Sequence, residues 1–436
     1  MSKPAIRVVG GGLAGCEAAW KLAQAGYSVE LLEMKPTQTS PAHQSEDLAE
    51  LVCSNSLKAD RLSTASGLLK AEMRLLGSLL LEVAENCAVP AGGALAVDRD
   101  RFSRLVTQKI EGHPNICLTR QEVTEIPKGP VVVATGPLTS PALSGAIARR
   151  LGQEHLSFFD AASPIVTADS LDRSIVFAAA RYGRGGADYL NCPMNQEEYD
   201  RFYDALVSAL GAEQKEFERQ EFKVYEGCMP VEALAKRGRD ALRFGPLKPV
   251  GFTDPRTGKR PWALVQLRQE NLAATLYNLV GFQTNLKFPE QKRVFSLIPG
   301  LEQAEFARYG VMHRNTFLNS PRLLDQTFAL REDPFTVFAG QITGVEGYME
   351  SAASGLLAAE QLIRRLEGRS LLNLPPETML GALSRYISDS DVVNFQPMGA
   401  NMGLLPPLPQ RVKDKQERYE ALALRGLKAL RKALGE

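Results

Sequence analysis

The sequence predicts an α/β fold, in which a parallel-sheet domain is interrupted by an inserted α+β domain. Three observations predict it. A β-branched run meets a glycine turn and a helical pattern at the start of the chain, in IRVVGGGLAG at residues 6–15. A second buried-strand-to-glycine unit stands late in the chain, at residues 335–340. Between about 164 and 300 the character changes to mixed strands and helices, with loops rich in Gly, Pro and Arg. The expected organisation is therefore 1–163, 164–300 and 301–436, the outer two forming one discontinuous domain.

The first unit can be justified residue by residue. Gly10 permits the tight turn, Gly12 lets a ligand's phosphates approach the backbone, and Gly15 lets helix and strand pack closely. Gly11 completes the turn, and Leu13 and Ala14 lead into the helix. A helical pattern spans 16–25, and Gly26 turns the chain into a second strand, 27–32, closed by Glu33. An acid at the tip of that strand can accept both hydroxyls of an adenosine ribose. Strand, glycine turn, helix, strand and acid together make a Rossmann-like dinucleotide site, with pyrophosphate seated on a helix N-terminus.

Residues 34–46, rich in Pro, Thr, Ser and Gln, read as a loop over the ligand. In the next stretch, 48–60, Cys53 sits among Ser54, Asn55 and Ser56, a polar setting unusual for a core cysteine. Helical patterns follow at 68–83 and 97–110, the latter with Asp98 as cap. Residues 116–119 and 122–126 read as short strands. Residues 131–136 form a buried strand ending in Ala134, Thr135 and Gly136, beside the nucleotide. Late in the chain the strand runs into Gly340, Gln341 and Gly344, then a small-residue helix over 352–366. This second helix N-terminus behind a glycine turn suits the electron-rich edge of a reduced flavin, which makes FAD the dinucleotide. The tail, 411–436, reads as an amphipathic helix with a solvated face.

Composition excludes other classes. The chain has 436 residues and a net charge of +1, so any basic site is local. No apolar run reaches the ~18 residues needed to span a bilayer. The N-terminus has no leader pattern. The six cysteines are scattered, without C-x-x-C or a Cys/His cluster. That spacing argues against a metal site or a disulfide framework, and for a reducing, cytoplasmic setting.

A second informative cysteine, Cys228, lies in VYEGCMPVE at 224–232. Eight basic residues follow between 236 and 260, Lys236, Arg237 and Arg239 first among them, against two acids. Cations favour a thiolate and bind phosphates. A nucleophilic cysteine beside a polyphosphate chain fits both facts; a structural cysteine next to a solvated basic loop fits them equally. His313, one of four histidines, precedes the late glycine turn by some 30 residues and could lie over the flavin, although a lone histidine is more often structural.

Four stretches together, VVGGGLAG at 8–15, LVCSNSLKAD at 51–60, YEGCMPVE at 225–232 and FAGQITGVEGYMESAASG at 338–355, closely resemble the folate- and FAD-dependent tRNA (uracil-5-)-methyltransferases. The last is also similar to the larger flavoprotein that modifies the wobble uridine of tRNA; the cysteine stretches separate the two. The resemblance implies an enzyme forming 5-methyluridine in the T loop, at position 54 of tRNA. Its carbon donor is methylenetetrahydrofolate, FAD mediates, and NADPH or NADH supplies electrons. By the same resemblance Cys228 is the nucleophile that adds to uracil C6, and Cys53 a second functional cysteine. His313 stacks on the folate, and Lys236, Arg237 and Arg239 hold the tRNA backbone. No membrane and no stable protein partner is expected. No second G-x-G-x-x-G is present for the nicotinamide nucleotide. A flavin-dependent thiol/disulfide oxidoreductase and an FAD-containing tRNA-binding protein without methyl transfer are the rival readings.

Overall fold

A computed structural model describes residues 3–40, 42–152, 156–183, 186–212, 229–392 and 395–435, apart from the side chains of 156–161 and 313–314. Its organising sheet has five parallel strands in the order Thr336–Phe338, Val131–Val133, Ile6–Val9, Val29–Glu33, Ile116–Arg120. Val8 sits between Leu31 and Val132 in register, and all three are fully buried. Strands covered on both faces need continuous apolar runs, which VVV and TVF supply. The strand order changes direction at Ile6–Val9, the first strand in sequence. The crevice beyond its carboxyl end is where such sheets bind ligands.

Two helices roof that crevice. The first, Leu13–Gln24, starts directly from Gly12. The second, Tyr348–Leu366, packs along it so closely that Gly355 faces the backbone of Ala14. A Cβ at 355 would lie 2.1 Å from the Ala14 carbonyl oxygen. Both helices begin earlier than the periodicity suggests, at 13 rather than 16 and at 348 rather than 352. Small residues carry little apolar signal, so the pattern under-reports the first turn.

The helix expected over 68–83 is two helices, Ala65–Leu75 and Leu79–Asn86. Gly77, at φ +78°, turns the chain, and Ser78 caps the second helix by accepting the Leu81 N–H. Leu75, Leu76, Leu79 and Leu80 keep an apolar rhythm across the break, which hides it. Glu17, fully buried on the first helix, accepts the Leu79 and Leu80 N–H groups, each at 3.1 Å. Glu72 does the same for a third helix, Met379–Ser388, accepting the Met379 and Leu380 N–H groups at 2.8 Å. Asp98 caps Arg99–Glu111 as expected. Residues 122–126 form no strand; they run past the crevice mouth into Pro127, where no neighbour offers a ladder.

The middle of the chain builds a separate six-stranded antiparallel sheet, in the order Phe177–Ala178, Tyr189–Met194, Ala263–Gln269, Leu276–Leu279, Ile165–Thr167, Phe306–Arg308. It has its own apolar core, in which Phe282 meets Phe295 edge-on at 5.3 Å. The connections to the nucleotide half run side by side as an antiparallel ribbon, Leu156–Ala161 with Met312–Phe317. The tail forms the helix Lys415–Leu434; its Leu422, Ala423, Gly426 and Leu430 are buried, so one face belongs to the core.

Candidate active site

The crevice is an open cleft whose empty space, adjoining solvent included, comes to about 1000 Å³. Gly10, Gly11, Gly12, Leu13 and Ala14 form its floor, Glu33 one wall, Ala134, Thr135 and Gly136 another, and Gly340 and Gln341 its far end. Gly10 holds φ +101°, and a Cβ there would sit 2.7 Å from the Ala134 carbonyl oxygen. Nothing lies within 4 Å of where a Cβ on Gly12 would point, so open space adjoins the helix start. No side chain caps that helix, which leaves first-turn N–H groups for an anion. The Tyr348–Leu366 helix likewise begins without a side-chain cap, and its Tyr348 and Ser351 line the cleft.

Glu33 shapes the wall it belongs to. Its Oε2 accepts the Gly11 N–H at 2.6 Å and its Oε1 the Lys35 N–H at 2.9 Å. A carboxylate has about four lone-pair positions, so two remain for ribose hydroxyls. Lys35 is itself buried, and its ammonium donates to the Ser45 and Asp47 carbonyls and to Glu50 Oε2 at 3.1 Å, fixing the 34–50 loop over the cleft. The open cradle at Gly12, the two uncapped helix starts and the acid at the strand tip fit an FAD.

Two glycines of the motifs stand outside the lining. A Cβ on Gly15 would fall 1.8 Å from the Gly10 carbonyl oxygen, so Gly15 serves helix-to-strand packing. Gly344, at φ +85°, turns against the Phe395 ring.

The Cys53 loop borders the cleft through Val52. Its backbone is held at successive residues. Arg99 donates to the Leu51 carbonyl at 2.6 Å, and Arg308 to the Val52 carbonyl at 2.9 Å. The Cys53 and Ser54 N–H groups both donate to the Tyr348 phenol oxygen, at 2.6 and 3.1 Å. Arg268 donates to Ser54 Oγ and Asn55 Oδ1, both at 2.8 Å. Asn55 spends its amide N–H groups on the Val97 and Gln269 carbonyls, tying the loop to the inserted sheet. Lys58 closes the far end on Glu350 Oε1 at 2.7 Å.

Electrostatics single this loop out. Burial opposes the charge of Arg99, but Glu270 at 3.0 Å outweighs it and raises the guanidinium pKa. Arg268 and Arg308 are depressed by burial. The Cys53 thiol interacts with all three cations and with Tyr348, whose phenol burial pushes up. By contrast, burial pushes the thiols of Cys16 and Cys192 far up, and that of Cys87 to about 11, so none of these three is suited to nucleophilic work.

Sequence reasoning passed over Arg99, Arg268, Arg308 and Tyr348. Each comes from a different element, and no local motif links them. Tyr348 sat inside a quoted motif, and its place one residue after Gly347 at a helix start was the available signal.

Cys228 lies outside the described residues, as does the side chain of His313, whose backbone pairs with Asp160 in the ribbon. Lys236, Arg237 and Arg239 are exposed on the inserted domain. The Arg239 guanidinium is occupied by Asp200 and by Asp204 at 2.6 Å, and stacks over Tyr203. Nearby, Arg243 lies over the Trp262 ring at 3.6 Å, and Phe244 is 79% exposed.

A family model described as glucose inhibited division protein A matches residues 5–370. The methylenetetrahydrofolate–tRNA-(uracil-5-)-methyltransferase TrmFO of Brevibacillus brevis is 58% identical over 427 residues, 98% of this chain and 97% of that protein. The protein of the same name from Moorella thermoacetica is 59% identical over 423 residues, 97% of this chain and 96% of its own. Among solved structures, GidA of Aquifex aeolicus superimposes with a TM-score of 0.70 at 16% identity, covering 98% of this chain and 73% of that one, a likeness of fold. By identity along nearly its whole length, and by the nucleotide fold it shares with the wider glucose inhibited division protein A family, this chain belongs to the TrmFO family.

Proposed function

We propose that the protein is a methylenetetrahydrofolate–tRNA (uracil-5-)-methyltransferase, forming 5-methyluridine in the T loop with NAD(P)H as reductant. The observation that carries the reading is its end-to-end identity with proteins of that name, together with a cleft built for a flavin dinucleotide. FAD, held by Gly10–Ala14, Glu33, the Ala134–Gly136 turn and the Gly340–Gln341 turn, supplies the redox chemistry that joins folate to the base.

The rest falls to side chains. Uracil C5 is a poor nucleophile. Addition of the Cys228 thiolate to C6 turns the base into an enolate whose C5 can attack a one-carbon electrophile. The C5 proton must then leave, two electrons that originate in NAD(P)H bring the transferred carbon from methylene to methyl, and elimination returns the thiolate; we give the C5 proton to Cys53. To His313 we give the folate. The target base leaves its stack to reach the cleft, while Lys236 and Arg237 meet backbone phosphates. Arg239 shares its charge with Asp200 and Asp204, which lessens its part in tRNA binding. The exposed Phe244, next in the chain to the Arg243 that lies over Trp262, supports an RNA-facing surface, because aromatic faces stack on bases.

The test is methylation of an unmodified tRNA transcript, with NADPH and folate labelled in the methylene carbon, read as 5-methyluridine by mass spectrometry. A parallel tube holds S-adenosylmethionine instead. Folate-dependent label in the T loop is expected. Absence of label from a folded, yellow protein would overturn the reading.

A further inference from the structure

We propose that Arg268, together with Arg308, supplies the excess positive charge that keeps the Cys53 sulfur a thiolate at neutral pH, and that Arg268 positions the Cys53 loop for the chemistry. The proposal rests on the reading that Cys53 takes part in the transfer; it adds which residues make the thiol reactive.

The charges around the loop can be counted pair by pair. Arg99 is answered by Glu270 at 3.0 Å, Lys35 by Glu50 at 3.1 Å, and Lys58 by Glu350 at 2.7 Å. Those six groups cancel. Arg268 and Arg308 remain, and their bonds go to neutral atoms: Asn55 Oδ1 and Ser54 Oγ for one, the Val52 and Ala42 carbonyls for the other. Arg268 is only 7% exposed. Among the described residues the carboxylates that reach them, Glu270 for Arg268 and Glu50 for Arg308, are those already paired with Arg99 and Lys35, and a buried guanidinium so partly answered is costly unless another anion stands close by. Cys53 is the group between them that can become one, and its thiol interacts with both guanidinium groups. Tyr348, the other titratable neighbour, is held neutral by burial and by the negative charge at Cys53. On deprotonation the thiol gives its proton to solvent, and the resulting thiolate is a base able to take the uracil C5 proton.

Arg268 stands on the strand Ala263–Gln269 of the inserted domain, whereas Cys53 belongs to the nucleotide half. The thiolate is thus stabilised by a residue from the domain that carries the basic 236–260 surface. Cys53 is fully activated only when the two halves are docked.

The experiment uses the reduced, FAD-loaded protein without tRNA, folate or NADPH. Iodoacetamide alkylation, in which the sulfur–carbon bond forms as iodide leaves, is followed from pH 5.5 to 9.5. Peptide mass spectrometry quantifies Cys53, with the exposed Cys117 as internal reference. In the wild type the Cys53 midpoint should lie at least one pH unit below that of Cys117. Arg268→Gln should raise it by about one unit, a roughly tenfold slower alkylation at about pH 5.5, below both midpoints, with Cys117 unchanged; Arg268→Lys should restore most of the shift. Arg308→Gln gives the same reading if Arg268→Gln does not fold. Equal midpoints for Cys53 and Cys117 in the wild type, or a Cys53 midpoint unmoved by either Gln variant, would overturn the proposal. Failure of the transcript assay leaves these profiles intact, so the two outcomes separate.

Discussion

Gly355 and Gly12 look alike in sequence, as small residues near a nucleotide, yet the structure gives them opposite roles, and alanine at each should separate folding from cofactor binding. A Cβ on Gly355 meets the Ala14 carbonyl oxygen at 2.1 Å, where even a tight contact needs 3.0–3.4 Å. The obstacle is backbone, so the two helices must part by roughly 1 Å. Overpacking of this kind costs about 1–3 kcal/mol. For a domain of roughly 300 residues, with an unfolding entropy near 2.1 cal/mol/K per residue, that is a loss of about 2–5 °C in Tm. The same displacement carries Ala14 and the helix start away from the phosphates, so FAD retention should fall about tenfold. Gly12→Ala meets nothing within 4 Å, and its backbone, φ −75° and ψ −170°, suits alanine. Its apoprotein should melt within about 1 °C of wild type, yet the methyl occupies space the phosphates need, and FAD affinity should drop by a similar factor. Differential scanning fluorimetry of apo and loaded protein, with the 450/280 nm absorbance ratio after gel filtration, reads both quantities. A Gly355→Ala protein that melts as wild type and keeps its FAD would refute the close-approach argument. A Gly12→Ala protein that binds FAD normally would refute the placement of the phosphates.

Other consequences can be measured directly. Glu33→Gln removes the charge that accepts the Gly11 N–H and that we assign to the ribose; at ~1.5–3 kcal/mol for a charged hydrogen bond, FAD should bind about 10–100-fold more weakly by flavin fluorescence titration, and a change under twofold would sink the assignment. Burial raises Glu72 to about 8, against the backbone donors Leu380 and Met379 that favour its charge. A carboxyl whose folded pKa is raised stabilises the fold fully below its ordinary value, and that contribution is lost as pH rises towards 8. Wild-type protein should therefore lose stability relative to Glu72→Gln between about pH 5 and 8, by an amount on the order of 5 kcal/mol, and parallel Tm-against-pH curves would refute it. Asp98→Ala removes both the helix cap and the bond from the Leu272 N–H on the inserted domain, and should cost about 1–2 kcal/mol by denaturant unfolding; no measurable change would show that neither bond matters.

How much of this was legible in the sequence follows the range of the interactions. The floor of the cleft was readable because Gly10, Gly12 and Glu33 act through local backbone geometry. Thr135 and Gly340 could be placed because strands ending in glycine have few uses. The break at Gly77 escaped because leucines keep helical spacing across it, and Ser78, the residue that caps the new helix, had been read as part of one. The guanidinium groups around Cys53 were invisible for a different reason. Arg99, Arg268 and Arg308 are far apart in the chain and meet only because the inserted sheet docks on the 51–58 loop. No charge run or spacing encodes that docking. In the same way, the basic run that holds Arg239 says nothing of Asp200 and Asp204 on the neighbouring helix.

The packing of the first helix against the Tyr348–Leu366 helix has a consequence for how the protein is made. The glycine turn leaves the ribosome among the earliest segments, but the strand that completes its sheet and the helix that seats against Ala14 are synthesised more than 300 residues later. At ~5–20 residues per second the early segment waits about 20–70 s for its partners. In that interval the strand Val131–Val133 lacks its outer neighbour Thr336–Phe338, and the first helix lacks the Tyr348–Leu366 helix that seats against Ala14. The cleft is therefore complete only late in synthesis, once Gly340, Gln341 and the helix start at Tyr348 join the floor made at the beginning.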